Sequence, residues 1–388
     1  MRRSSRPERA SATVVVDLLS YTGGRGGTET YVREIVTRLP NLMPDCEFVA
    51  LTGRAGTAPI TAFFPGAVHT VDWVGSDRVS WALGAVLRVD GVARSLGASV
   101  LWCPANFGPI HRGAPRVVTV HDAIYHEAAG PLLPRIVSAL TSWLAARAAT
   151  SADAIITVSH AAAEAISRHM RVSPDAVTVI PNGASDPVPP HEPWKVLAPL
   201  QITPGRQILL STGNRLPHKN FAGLLRALAE IPEETRPLTV ITGSRAGDPL
   251  LSLRDSLGLA GDVELLGWVD DPQLESLYAV AALYVCPSLL EGFGLPVVDA
   301  LRRGVPVVAN DIPVLREVGG SAARYADASN PGALANAISH ALAHPPQPAE
   351  RAAGRTWSER FSWDAAAAAT AGVLYRTARA PRRLRAAQ

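Results

Sequence analysis

Glu291 and Asp299 bracket the run Glu291-Gly-Phe-Gly-Leu-Pro-Val-Val-Asp299, which places two carboxylates on either side of a glycine-rich turn. The residues before it, Leu283 to Ser288, read as a short buried strand. Pro296 suits the first turn of a helix running through Leu301 to about Arg303. Strand, glycine loop, helix is the geometry of an anion site. The N–H groups and positive dipole end of the helix face whatever precedes Leu295, and Gly292 and Gly294 let a ligand approach the backbone. A diphosphate flanked by hydroxyl-rich groups meets these demands; a strand–helix turn with incidental acids is the alternative.

Three further loops carry chemically apt residues. Gly213-Asn214-Arg215-Leu-Pro-His-Lys219-Asn220 lies between a strand and a helix, in a chain with two lysines, Lys195 and Lys219, and thirty-five arginines. Arg215 offers a planar fork and Lys219 a compact charge. Such a pair suits a diphosphate that gains charge as its bond to a sugar breaks, and like charges four residues apart otherwise repel. His121-Asp122 ends the apolar strand Val117 to His121, where a histidine either caps the sheet or hydrogen-bonds sugar hydroxyls. His126 nearby raises the question of a metal, but positions 121, 122 and 126 match no ligand spacing, and no metal is expected. The loop Gly23-Gly-Arg-Gly26-Gly27 precedes Thr28-Glu29 at a helix start. It lacks the Gly-x-Gly-x-x-Gly dinucleotide spacing and reads either as a flexible turn or as an anion or sugar contact.

These loops require strands to hold them. Strand-like runs at Thr13 to Leu19, Glu47 to Thr52, Val68 to Val74, Ser99 to Pro104, Val117 to His121, Ala154 to Ser159 and Val177 to Pro181 alternate with helical stretches. The helices are expected at Thr28 to Leu39, Val79 to Leu96, Leu132 to Thr150 and Ala161 to Met170. The proline-rich Ser185 to Arg206 reads as a linker, after which the alternation resumes from Gln207 through a short helix near Val314. The expectation is an α/β protein of two doubly wound Rossmann-like domains facing across a cleft, residues 1–190 and 191–362, with an alanine-rich helix in 363–388.

The composition bounds the rest. At 388 residues, 47% hydrophobic and 18% charged, the chain is expected to be globular and cytoplasmic. No apolar run reaches the ~18 residues of a membrane span, and no apolar signal region follows the basic start. Cys46, Cys103 and Cys286 lie far apart without metal spacing and read as small hydrophobes. Arginines cluster at both ends, either as solvated tails or as a peripheral attachment to an anionic membrane at the inner face of the cell. No aromatic residues interleave with them, which argues against nucleic acid.

Taken together, Pro287 to Asn310 (PSLLEGFGLPVVDALRRGVPVVAN), GNRLPHKN, the His121-Asp122 pair, Val179 to Gly183 (VIPNG) and the N-terminal glycine loop resemble the family-four retaining glycosyltransferases, nucleotide-sugar enzymes of the GT-B fold. The resemblance runs from about Val14 to Trp363. It implies that Glu291 holds donor-sugar hydroxyls, that the amides of Gly292, Phe293, Gly294 and Leu295 bind sugar and diphosphate, and that Arg215 and Lys219, with Asn214 beside them, serve the leaving diphosphate. It further implies that His121 faces the sugar, that Gly26 and Gly27 approach phosphates or acceptor, and that the terminal helix returns to the first domain. Asp299 stands where the family usually has a glutamate gripping the ribose, one methylene shorter in reach.

The implied activity is transfer of a hexosyl group from GDP-mannose or a UDP or dTDP hexose to an acceptor hydroxyl of a glycan, lipid-linked glycan or secondary metabolite. No cofactor or metal ion is expected. Rivals are a glycosidase using Glu291 and Asp299, a sugar-nucleotide epimerase of the same fold, and a silent sugar-nucleotide binder. The bias to arginine and alanine suggests a GC-rich bacterial genome.

Overall fold

Val14, Val15 and Val16 follow one another in sequence and none has exposed surface. A strand buries consecutive side chains in this way only where both faces of its sheet are covered. The computed structural model describes residues 12–24, 26–76, 78–123, 132–244 and 247–380; His126 lies outside them. The chain divides into two units, Met1–Pro181 with Trp363–Gln388, and Asn182–Ser362.

The first unit holds strands β1 (Ala12–Leu18), β2 (Cys46–Gly53), β3 (Ala67–Val71), β4 (Val100–Cys103), β5 (Arg116–Thr119), β6 (Ala154–Thr157) and β7 (Val177–Val179). All pair in parallel, in the order β3-β2-β1-β4-β5-β6-β7. Helix Trp363–Arg379 belongs to this unit and packs on helix Gly27–Val36. Trp363 is buried with its ring 6.4 Å from that of Tyr31, and Arg38 Nε donates to Asp364 at 2.6 Å.

The second unit holds β8 (Ile208–Thr212), β9 (Leu238–Ser244), β10 (Val263–Gly267), β11 (Ala281–Cys286), β12 (Val307–Asn310) and β13 (Ala323–Ala326), parallel in the order β10-β9-β8-β11-β12-β13. Its core gathers Leu209, Leu224, Leu228, Ile241, Leu283, Val285, Leu334 and Ile338, all without exposed surface. Both sheets share one topological feature: the order reverses once, between β1 and β4 and between β8 and β11. Connections leave such a pair of strands toward opposite faces of the sheet, and a crevice opens at their carboxyl ends.

Several expectations need correction. The units divide between Pro181 and Asn182, ahead of the boundary expected at 190. The proline-rich segment is not a bare linker: it contains helix Pro193–Leu197, which packs against helix Asp271–Val280. Its entry into the second unit is secured by Ala184 N donating to Phe361 O at 3.1 Å and Arg302 pairing with Asp186 at 2.9 Å. Proline density signals the absence of long regular elements, not the absence of packing. The single helix expected over Val79 to Leu96 is two, Arg78–Leu87 and Val89–Ser95. Asp90 ties the second of these to the sheet side, accepting from Ala114 N at 2.8 Å. Strand β13 and helices Pro331–Ala343 and Pro348–Ser358 were not anticipated, although Asn330 caps the first of those helices at Ala333 N ahead of a proline at its start.

Asp17 is a carboxylic acid at the carboxyl end of β1, 8% exposed among Val15, Leu19, Leu101 and Cys103. Burial pushes its pKa up to about 6, an effect the Leu19 amide, the Arg116 charge and the Cys103 thiol only partly offset. A raised acid favours folding fully below its unfolded pKa and loses that contribution as pH rises through about 6. Asp17→Asn is therefore expected to raise stability above pH 7 by up to about 3 kcal/mol and to flatten the pH dependence between about 4 and 6, read by urea denaturation across that range.

Candidate functional site

In the second unit, β8 runs into the loop 213–220 and β11 into the loop 287–294. The two strands are neighbours, with Leu210 paired to Tyr284, so the loops leave the sheet side by side. Polar contacts bind the strand ends together: Ser211 Oγ donates to Val285 O at 2.6 Å, and the Thr212 and Tyr284 hydroxyls meet at 3.0 Å. Beyond the strands, Leu289 N donates to His218 O at 2.7 Å, and Lys219 Nζ donates to Glu291 Oε1 at 2.6 Å. The lysine and glutamate side chains are 18% and 11% exposed, a partly desolvated pair at the mouth of the crevice.

Gly294 starts helix Leu295–Arg302 from a left-handed conformation, φ 99°, and a Cβ there would lie 2.8 Å from Leu315 Cδ2. Glycine is demanded twice, by backbone and by space. Pro296 has no amide hydrogen and so leaves no orphan donor in the first turn, while Val297 N closes on Gly294 O at 2.9 Å. Phe293 is turned inward, 4% exposed and edge-on to Phe361 at 5.5 Å. Its ring anchors the loop, leaving only backbone for a ligand. Asn214 is exposed, its side-chain oxygen accepting from Leu216 N at 3.3 Å.

Arg215 is enclosed by protein groups. Its guanidinium donates to Asp248 Oδ2 at 2.9 Å and to the carbonyls of Thr242 (2.9 Å), Ile241 (3.0 Å), Gly213 (3.1 Å) and Leu266 (3.4 Å). Arg215 and Asp248 side chains are 6% and 7% exposed. Burial lowers the arginine's pKa against the pull of Asp248. The fork expected at the diphosphate ties β9 and β10 to the loop after β8. Asp248, 33 residues away in sequence, gives no local sign of this.

Asp299 is likewise held by protein. Its carboxylate accepts from Ser185 N at 3.2 Å and lies 3.5 Å from Arg303 Nη1, with a quarter of its side chain exposed. Burial raises its pKa to about 6 despite Arg303 and the Ser185 amide.

His121, Gly26 and Gly27 belong to the first unit. His121 is 8% exposed; its Nε2 meets Pro104 O at 2.7 Å, its amide donates to Asn106 Oδ1 at 2.6 Å, and its ring lies edge-on to Tyr31 at 4.8 Å. Burial lowers its pKa to about 4. The imidazole is thus neutral at pH 7, with Nε2–H as donor to Pro104 and Nδ1 as acceptor. Asn106 holds φ 64°, a left-handed conformation in a buried non-glycine residue. Gly26 precedes helix Gly27–Val36, and Glu29 on that helix accepts from Thr22 N at 3.3 Å.

Sequence reasoning passed over Asp248, Asn106, Tyr31 and His218. Only His218 carried a local signal, its place beside Lys219. Among the described residues, no three His, Cys, Asp or Glu side chains group as a metal site, and no helix is long and apolar enough to cross a membrane.

The family model of Glycosyltransferase Family 4 matches residues 25–186 and that of Glycosyl transferases group 1 matches residues 194–355. The chain belongs to the family-four, group 1 glycosyltransferases. It is 34% identical over 222 residues to O-antigen chain mannosyltransferase B of Escherichia coli, covering 55% of this chain and 58% of that protein. A longer match, 27% identical over 405 residues, covers 94% of this chain and 93% of D-inositol 3-phosphate glycosyltransferase 2 of Catenulispora acidiphila. The solved structure of Anabaena Alr3699/HepE in complex with UDP aligns with a TM-score of 0.69 at 20% identity over 94% of this chain and 99% of that one, a likeness of fold. Other glycosyltransferases are among the solved neighbours, which share the GT-B fold.

In this chain, Arg215→Ala leaves Asp248 buried without its partner. It is expected to lower stability by about 3–5 kcal/mol in chemical denaturation, with a smaller loss for the double variant Arg215→Ala/Asp248→Ala. Lys219→Ala, at a partly exposed pair, is expected to melt close to the parent.

Proposed function

We propose that this chain transfers a hexosyl group from a nucleoside-diphosphate sugar to an acceptor hydroxyl with retention of the anomeric configuration. The observation that carries the reading is the Lys219–Glu291 pair, 2.6 Å apart where the loops after β8 and β11 meet the start of helix Leu295–Arg302. A cation, a carboxylate and a helix N-terminus at one point match the parts of a sugar diphosphate: charge for the phosphates and an acceptor for sugar hydroxyls. Donor binding would exchange the ion pair for two ligand contacts, Lys219 turning to a phosphate oxygen and Glu291 to the sugar. Asn214, at the exposed edge of the loop after β8, and the backbone from Gly292 to Leu295 line the same point.

In the reaction the anomeric C–O bond breaks with its electron pair passing to the departing phosphate oxygen. The acceptor oxygen bonds to the anomeric carbon on that same face and gives its proton to the phosphate oxygen. Lys219 and the helix terminus offset the charge that develops, so the scheme calls on no metal ion. With Arg215 committed to Asp248, the lysine carries more of this task than the sequence motif implied. His121, neutral and with Nδ1 as an acceptor, is assigned a sugar hydroxyl, and the glycine loop at Gly26 and Gly27 the acceptor or phosphates. Asp299 is assigned to the ribose through a carboxylate already held by the Ser185 amide.

The relatives' names support a reading of sugar and acceptor. Mannosyl transfer, in the name of the Escherichia coli relative, favours GDP-mannose as the donor. A glycan or a small polyol is the acceptor class these names support, with peripheral contact to an anionic membrane where that acceptor is lipid-linked. Thermal-shift measurements with GDP-mannose, UDP-glucose and dTDP-glucose are expected to single out one donor by a raised melting temperature. Lys219→Ala is then expected to lower kcat for transfer from that donor by at least about 100-fold while the protein stays folded. Near-parent transfer by this variant, or donor conversion that needs no acceptor, would overturn the assignment.

A further inference from the structure

The two loops that form the site are short of positive charge. Lys219 is paired with Glu291, and Arg215 with Asp248, so each cation on the loop after β8 stands beside an anion. A diphosphate esterified at both ends carries two negative charges at neutral pH. One lysine released from Glu291 answers one of them.

His218 is placed to answer the other. It occupies the middle of the turn Pro217–Lys219, which is closed by Lys219 N to Leu216 O at 2.9 Å and Asn220 N to Pro217 O at 3.0 Å. Asn220 follows in a left-handed conformation, φ 54°, and its Nδ2 donates to Ala328 O at 2.8 Å. The carbonyl of His218 receives Leu289 N at 2.7 Å, which locks the turn to the loop carrying Glu291. The backbone is therefore held at four points, and the half-buried imidazole lies within electrostatic reach of both Lys219 and Glu291.

Burial, followed by the Lys219 charge, pushes the pKa of His218 below the ordinary histidine value, and Glu291 offsets this only in part. Two further titratable groups bear on the donor: the Cys286 thiol, raised to about 12 by burial and by Glu291, stays uncharged, and the Asp299 carboxyl, raised to about 6 by burial, titrates below neutrality. Bringing a dianion to Lys219 reverses the field at the imidazole, because an anion nearby favours the protonated form.

Resting on the donor reading above, we infer that His218 takes up a proton as a nucleoside-diphosphate sugar binds and, as an imidazolium beside Lys219, supplies the second positive charge the diphosphate requires. The proton comes from solvent, and no covalent bond changes. Donor affinity is then linked to pH: binding tightens by up to tenfold per pH unit as pH falls from the bound-site pKa to the free-site pKa, and is independent of pH outside that window.

Isothermal titration calorimetry tests this with GDP-mannose, UDP-glucose and dTDP-glucose, diesters that themselves do not titrate near neutrality. Each is measured at pH 7 in PIPES and in imidazole buffer, which differ in protonation enthalpy. For the donor that binds, the apparent enthalpy is expected to differ between buffers by a fraction of a proton's worth. His218→Gln and His218→Asn, checked for parent-like melting, are expected to bind several-fold more weakly at pH 6.5, with a smaller enthalpy difference between buffers and a shallower pH profile than the parent. Parent enthalpies that do not depend on the buffer, or unchanged proton uptake in both variants, would overturn the role of His218 while leaving the donor assignment standing. Binding of none of the three donors would instead overturn the donor reading, and this inference with it.

Discussion

Lys219 and Glu291 are 72 residues apart and meet at 2.6 Å because β8 and β11 are adjacent strands at which the sheet order reverses. The loop after β8 leads to helix Phe221–Glu230 and the loop after β11 to helix Leu295–Arg302, and the two connections leave the sheet on opposite faces. What remains between them is a crevice into which both loops must turn. Every other feature of the site depends on that arrangement. The bond from Leu289 N to His218 O, the left-handed Gly294 and the inward Phe293 all serve to hold two backbones in register so that one cation and one carboxylate share a point.

The electrostatic design of this point is conservative in its use of charge. Two arginine-rich termini and an excess of arginine over lysine elsewhere leave the site itself close to neutral, with Lys219 against Glu291 and Arg215 against Asp248. A near-neutral site avoids the repulsion of unpaired cations held close together, and the compensating anions differ in kind. Asp248, 7% exposed, is buried with its arginine and acts as part of the scaffold; Glu291, 11% exposed, meets Lys219 where the two loops come together. The first unit follows a different course at His121, where burial alone keeps the ring neutral and a single carbonyl, Pro104 O, sets its tautomer.

Much of the fold was readable in the chain. Consecutive apolar residues such as Val14 to Val16 signalled strands covered on both faces, and helix Leu132–Ser151 and strand Val177–Val179 fell within two residues of the expected bounds. The misreadings have local causes. Prolines from Ser185 onward hid helix Pro193–Leu197, whose stability comes from packing on helix Asp271–Val280 and not from its own five residues. The break at Arg88 follows the anchoring of Asp90 to Ala114, a contact that periodicity does not register.

The chain by itself determined which residue types the loops offer and where strand, glycine and helix follow one another, since these depend on local sterics and on the period of apolar side chains. That was enough to single out the nonapeptide from Glu291 to Asp299 and the loop containing Lys219 as candidate parts of one site. Only the tertiary structure decided how those charges are used. Arg215 and Lys219 look equivalent in sequence, yet one is enclosed by Asp248 and four carbonyls and the other faces Glu291 in the crevice. The difference is set by partners that arrive from β9, β10 and β11, and burial and pairing of a charge are properties of the packed neighbourhood, which no window along the chain contains.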